Sequence, residues 1–248
     1  MAILRRHAVL VLFLAALLVP RATASDLVAD LSSHLVSITT GFTGAKILLF
    51  GATEGEGDVV VVVRGPNKPA VVRRKGRVAG IWVNQAEMQF VNVPSYYAVA
   101  ANRPIVEFLP DRVLSRQEIG AEHLNVTPAE PPGGPEFDEF RRALIRSMQN
   151  AELYGREPSR IVFLGNRLFR TDIQFPANAP VGAYTVAVYL IRDGDVVNAE
   201  ITPLSISKAG FSAGVFEFAH RHSLAYGVLA ILIAVMAGWS ANVVFRKG

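Results

Sequence analysis

Asp58-Val59-Val60-Val61-Val62-Val63-Arg64 is the stretch whose reading decides the fold. Five consecutive β-branched residues favour extended chain over helix. In a strand successive side chains point to opposite faces. Valine on both faces therefore predicts a strand covered on both sides, with no face left for water. Outward from it, short runs rich in β-branched and aromatic residues recur at 34–40, 45–52, 70–74, 78–83, 87–93 and 96–100. Turn-forming residues at 51–57, at Gly65-Pro66-Asn67 and at Lys75-Gly76 separate them. Regular short strands of this kind predict a mainly β fold, an immunoglobulin-like β-sandwich region of one or two sandwiches, rather than a parallel α/β sheet.

The middle of the chain changes character. Ser115 and Glu118 have the spacing of a capping box and predict a short helix over 116–124. Residues 127–135 are rich in proline and glycine and read as an exposed loop. A second helix is expected from Pro135. Glu136, Asp138 and Glu139 fill its first turn and Arg141, Arg142 and Arg146 come later, an order that complements the helix dipole. Phe137, Phe140, Leu144, Met148 and Ala151 form an apolar stripe at helical spacing, suited to packing on the β layer, and Gly155 is placed to close the end. Strands resume at 160–164, 168–175, 183–192 and 196–207, with Asp193-Gly194 as a tight hairpin turn. The stretch 176–184, PANAPVGAY, reads as the corner that precedes the penultimate strand of many immunoglobulin-like domains, with the Tyr184 phenol bonding back across it. Gln89-Phe90, Asn92, Pro94 and 97–100 echo Gln174-Phe175, Asn178, Pro180 and 184–187. One sandwich with a helical insert and two small β domains both fit that echo.

The two ends place the chain at a membrane. Arg5 and Arg6 precede a twelve-residue apolar stretch, and Ala22-Thr23-Ala24 suits cleavage before Ser25. Twelve helical residues rise only about 18 Å, well short of a hydrocarbon core of about 30 Å. A signal peptide is therefore expected over 1–24, with an uncleaved signal anchor as the rival. Residues 224–245 carry no charge and reach about 33 Å as a helix, enough to span. Tyr226 and Trp239 lie near its ends, and Arg246 and Lys247 suit a cytoplasmic tail. The expected layout is a signal peptide (1–24), a β-rich sandwich region (25–109), a helical insert (110–159) and a second β-rich region (160–209). A juxtamembrane segment (210–223), a transmembrane helix (224–245) and a tail (246–248) complete it. In a bacterium the bulk of the chain would be periplasmic, held by a single pass through the inner membrane.

Of the 25 basic residues, Arg5, Arg6, Arg21, Arg246 and Lys247 belong to these ends, which leaves 20 against 21 acidic ones. The region between is nearly neutral, so nucleic acid is not an expected partner. The chain has no cysteine, which excludes disulfides and thiol chemistry. About 190 residues bury enough surface to fold without them. Beyond His7 in the signal, the histidines are His34, His123, His220 and His222. His220 and His222 sit two apart with no third ligand at metal spacing, and read as interfacial polar residues. No nucleophile-elbow, Ser-x-x-Lys or zinc-protease motif occurs. The run 51–58, GATEGEGD, lacks the lysine of a phosphate loop. No metal, cofactor or catalytic residue is expected.

Three groups of residues are candidates for contact. Arg73, Arg74, Lys75 and Arg77 are expected around a hairpin turn, a basic tip suited to an anion, lipid headgroups or an acidic partner. Tyr96, Tyr97 and Arg103 lie at a strand end, as a recognition surface or as a packed corner. Ala230, Ala234 and Gly238 recur every four residues in the span and Asn242 continues that face, which lets a second membrane helix approach closely.

The stretches 41–52 (GFTGAKILLFGA), 60–66 (VVVVRGP), 73–84 (RRKGRVAGIWVN), 93–104 (VPSYYAVAANRP), 140–155 (FRRALIRSMQNAELYG) and 175–194 (FPANAPVGAYTVAVYLIRDG) resemble an uncharacterised family of alphaproteobacterial transmembrane proteins. The resemblance implies a signal, a periplasmic domain, one C-terminal span and a partner among sulfite-exporter-type (TauE/SafE-like) permeases. It implies no activity. The expected function is a non-enzymatic periplasmic binding or accessory module. It is anchored in the lipid bilayer and meets an integral membrane partner or a second copy of itself. The competing classes are an envelope enzyme using Arg103 and acidic residues between Glu107 and Glu122, and a purely structural envelope protein.

Overall fold

In a computed structural model of the chain, residues 26–78, 80–130, 136–209 and 218–245 are described, with side chains as far as residue 240. The expected signal peptide, part of the proline-rich loop, most of the juxtamembrane segment, the tail and the Asn242 side chain lie outside the described residues. The strands are β1 (Leu27–Leu31), β2 (Leu35–Ile38), β3 (Gly44–Thr53), β4 (Asp58–Arg64), β5 (Asn67–Val78), β6 (Ile81–Pro94), β7 (Tyr97–Ala101), β8 (Ser159–Arg160), β9 (Val162–Leu164), β10 (Leu168–Pro176), β11 (Gly182–Arg192) and β12 (Asp195–Lys208). The helices are α1 (Asp111–Gln117), α2 (Glu136–Asn150) and α3 (Ser223–Phe245).

Two sheets face each other. One has the order β1-β3-β10-β9 and the other β2-β12-β11-β4-β7-β8, while β5 and β6 form a separate hairpin. Pairing is antiparallel except where β2 meets β12 and β7 meets β8. Strands from both sides of the helical segment share both sheets, so the echo at 89–100 and 174–187 does not mark two separate β bodies. The fold is mainly β; the sequence expectation of a specifically immunoglobulin-like topology goes further than this strand order does.

β4 occupies the centre of the larger sheet, between β11 and β7. Its alternation is the one the five valines predict. Val59, Val61 and Val63 enter the core between the two sheets, beside Leu49, Phe169, Ile173, Val186, Val188 and Leu190. Val60 and Val62 enter a second core on the opposite face, beside Val113, Leu114, Phe140 and Leu144 of the helical segment. All five are 0–2% exposed, and a buried valine contributes about 1.5 kcal/mol or more. The structure is thus three layers thick at β4. The close approach of β1, β3 and β10 needs Gly51, where a Cβ would lie 2.4 Å from the Phe169 ring and 2.5 Å from the Val28 carbonyl oxygen.

The helical segment departs from expectation at both helix ends. The first helix runs over Asp111–Gln117 rather than 116–124. Pro110 precedes it in extended conformation, Asp111 supplies the acidic first turn, and Glu118 closes it in the left-handed region at φ 52°. Glu118 and Ile119 both donate N–H to the Leu114 carbonyl, so the Ser115/Glu118 pair marks a helix end. α2 begins as the charge order predicts, and its stripe buries Phe140 and Leu144 with Phe137 and Met148 packed beside them. Glu152, at φ 60°, takes the left-handed turn after it. Gly155 instead donates its N–H to the Tyr97 carbonyl at the edge of β7.

The Asp193-Gly194 turn is as expected, with both residues at positive φ (52° and 78°) between β11 and β12. The Lys75-Gly76 turn is not. β5 and β6 pair from Asn67↔Pro94 to Val78↔Ile81 with register shifts at Lys68/Ala70 and Arg74/Lys75, and Lys75 lies opposite Asn84 and Gly76 opposite Val83. The chain reverses at Gly80, and the three strands expected over 70–93 are two long ones. A slip at Arg74/Lys75 leaves Gln85 as the extra residue of a bulge. β1 was not expected, although Leu27, Ala29 and Leu31 are buried in strict alternation.

Candidate interaction surfaces

The β5–β6 hairpin carries the first group of candidates, along a strand rather than at a tip. Near its base Ala70, Val72, Ala86 and Met88 pack on the second core, and Phe90 is fully buried there. Arg73 faces across the hairpin to Glu87 (3.0 Å). Arg74 points the other way, to Glu136 (3.3 Å) and Glu139 (3.1 Å) of α2, with its guanidinium 5.8 Å from the Phe140 ring centre. Arg74 therefore fastens the hairpin to the helix and belongs to the fold. Beyond it Lys75, Arg77, Val78, Ile81, Trp82, Val83 and Asn84 are exposed. Arg77 donates its Nε–H to the Gly80 carbonyl (3.3 Å) at the reversal.

The two tyrosines at the start of β7 are inside the structure, which corrects the reading of an exposed recognition surface. Strand alternation sends them to different cores. Tyr96 donates its hydroxyl to the Gln174 carbonyl (2.6 Å) and lies against Phe175 and Tyr184 at ring-centre distances of 5.1 and 5.8 Å. Tyr97 donates to the Glu118 carbonyl (2.6 Å) and accepts from the Gly120 N–H (2.8 Å). Tyr154 packs its ring at a tilt against Tyr97 and donates to the Pro94 carbonyl (2.7 Å). Burial pushes all three phenols well above their ordinary range, so they stay protonated donors. Tyr184 donates to the Pro180 carbonyl (2.6 Å), the corner bond expected from PANAPVGAY, and burial pushes its phenol up to about 12. Tyr97 makes no such local bond. The echo in sequence is not an echo in structure.

Arg103 grips Asp58 with two parallel bonds, Nε to Oδ1 (2.7 Å) and Nη2 to Oδ2 (2.6 Å). Its guanidinium also lies 4.7 Å from the Phe108 ring centre. Asn102 donates to Asp58 (2.9 Å) and accepts the Val59 N–H (3.0 Å). The bonds from Arg103 hold the Asp58 carboxyl below its ordinary value against the opposing effect of burial, with Asn102 adding to the same direction. The cluster latches the start of β4 to the end of β7. A shallow depression of about 580 Å³ beside it is bordered by Glu107, Arg192 and Asp193.

A cleft of about 600 Å³ opens between β7 and β10, lined by Tyr96, Ala100, Arg156, Ser159, Asp172 and Gln174. Asp172 is turned to Lys46 on β3 (2.9 Å). Ser115 Oγ lies 3.3 Å from His123 Nδ1. This hydroxyl–imidazole pair was invisible in the sequence because the turn at Glu118–Gly120 brings the two together. Among the described residues no group of three His, Cys, Asp or Glu is placed to hold a metal ion.

α3 stands apart from these groups. Its apolar window Ser223–Ser240 has none of its residues buried inside the structure. A Cβ at Gly238 would meet nothing within 4 Å, and Ala234 and Ala230 lie about one and two turns before it. α3 is long and apolar enough to cross a bilayer by length and composition. No curated protein matches the sequence at a significant level. The family described as "Putative transmembrane protein (Alph_Pro_TM)" matches residues 26–247, from the first strand through the apolar helix, and the chain belongs to it.

Proposed function

We propose that this protein is a non-enzymatic accessory module of the bacterial envelope. Its β layers are periplasmic, a cleaved signal precedes them, and α3 anchors them in the inner membrane beside an integral membrane partner. The observation that carries the reading is α3 itself, an uncharged helix of 23 residues whose window Ser223–Ser240 is not buried by any of the described residues. A second observation favours binding over catalysis. Tyr96, Tyr97, Tyr154, Asp58 and Arg103 are held in bonds that join one strand or helix to another.

The partner would meet α3 on the face of Ala230, Ala234 and Gly238, where small side chains permit close backbone packing. A sulfite-exporter-type permease as that partner rests on the family resemblance alone. Alkaline phosphatase fused near residue 215 is expected to be active and fused after Gly248 inactive; the reverse pattern overturns the orientation. Gly238→Ile and Ala234→Leu are expected to lower cross-linking to the partner, with Leu232→Ile as the control. Equal yields in all three would leave α3 an anchor only.

An envelope hydrolase is the second reading, and the Ser115–His123 contact is the observation in its favour. Ester hydrolysis by the purified protein that disappears in Ser115→Ala would establish it over the first.

A further inference from the structure

We propose that the free end of the β5–β6 hairpin is a finger that docks on anionic phospholipid headgroups, with Ile81 and Trp82 entering the membrane interface and Lys75 and Arg77 meeting the phosphates. The half of the hairpin near α2 is packed; the half beyond Arg74 and Ala86 is not. Val78, Ile81 and Trp82 are 52%, 68% and 66% exposed, an apolar end to the hairpin. Arg77 is paired directly opposite Trp82, and Val78 opposite Ile81. One face of the tip is thus basic with an indole, and the other is aliphatic and continues into Val83.

Charge chooses the occupant. Residues 71–86 include Arg73, Arg74, Lys75 and Arg77 and no acidic residue. Glu87 answers Arg73, and Glu136 and Glu139 answer Arg74. Lys75 and Arg77 remain without an acidic partner among the described residues. Two such tips repel each other, which disfavours a second copy as the occupant. An anionic bilayer attracts them, and its interface is where indole rings are enriched.

The base of the finger lies at the end of the larger sheet from which the chain leaves for the anchor. β4 ends at Arg64 opposite Thr185, and β12 nears its end where Ile206 pairs with Gly182. The hairpin therefore leaves the larger sheet at the end from which the chain continues to α3. A tether of this kind keeps even a weak lipid contact at high effective concentration.

The test uses the full-length protein in vesicles, in a Trp239→Phe background that leaves Trp82 as the only tryptophan. Vesicles of phosphatidylcholine alone are compared with vesicles containing about one-third phosphatidylglycerol. With phosphatidylglycerol present, Trp82 emission is expected to shift to shorter wavelength, to be quenched by brominated lipid and to lose access to acrylamide. Lys75→Ser combined with Arg77→Ser should remove most of that quenching, as should high salt. Trp82 that stays open to acrylamide and untouched by brominated lipid overturns the proposal. Equal quenching in both vesicle types overturns the anionic part. A shift that follows the protein-to-lipid ratio without lipid quenching assigns the tip to a second copy or another protein instead. The phosphatase fusions report orientation independently, so failure here leaves the anchored-module reading standing.

Discussion

β4 and the end of the β5–β6 hairpin are both extended chain rich in valine, yet one is the most covered part of the molecule and the other among the least. In β4 every valine is within 2% of full burial, because the smaller sheet lies on one face and the helical segment on the other. In the hairpin the cover stops where α2 begins, at Arg74, and Val78, Ile81 and Trp82 continue past it. What separates the two is the surroundings. Hydrophobic stabilisation follows area removed from water, so residues of equal apolarity hold the fold together in one place and contribute little to it in the other.

The comparison is broken most forcefully by shortening one side chain packed beside β4 and one at the hairpin tip. Leu190→Ala, next to Val59 in the register of β11 and β4, should cost about 3 kcal/mol as a core truncation. Ile81→Ala should stay within about 0.5 kcal/mol, as for other surface sites. Thermal melts followed by circular dichroism give both numbers, and similar losses at the two positions would refute the difference in cover.

The tyrosines sharpen it next. Tyr97→Phe leaves the Gly120 N–H without its partner and the Glu118 carbonyl with only the longer bond from Arg64 at the join between sheet and helical segment, and should cost about 2 kcal/mol. Tyr184→Phe removes one bond within a single corner and should cost about 1 kcal/mol. Within the hairpin itself, Arg74→Ser should cost about 1 kcal/mol through two partly exposed ion pairs, and Lys75→Ser no more than about 0.3 kcal/mol. Denaturant midpoints resolve that order; a larger loss from Lys75 would show that the tip is part of the packed structure.

The smallest expected effect concerns pH. The folded carboxyl of Asp58 titrates below its ordinary value of 3.8. Its contribution to stability is therefore fully present above that value and is lost as pH falls through the lower, folded one. Arg103→Gln should weaken this dependence, so that the mutant loses less stability than the parent between pH 5 and pH 3 (roughly the window around an ordinary carboxylate). Parallel melting curves across that range would mean that the latch contributes nothing.

The parts legible in the sequence are those whose signal is local. The doubly buried β4 follows from five adjacent valines, α2 from its charge order and apolar stripe, and the Asp193-Gly194 turn from two residues that tolerate positive φ. The parts that were not legible depend on partners far along the chain. Lys75-Gly76 looks like a turn until Asn84 and Val83 pair with it. Arg74 looks like a free charge until α2 brings Glu136 and Glu139 to it, 62 and 65 residues on. Tyr97 looked like a corner tyrosine, but its hydroxyl is used 21 residues away. The Ser115–His123 pair was not legible because the left-handed turn at Glu118 that brings His123 to Ser115 has no strong local mark.

Hydrogen exchange of the full-length protein tests the central contrast most directly, with the backbone of β4 compared with that of residues 75–84. The account predicts that the β4 amides, paired on both sides and covered on both faces, exchange only with global unfolding, while those of the hairpin tip exchange orders of magnitude faster through local opening. Equal protection of the two segments would contradict it.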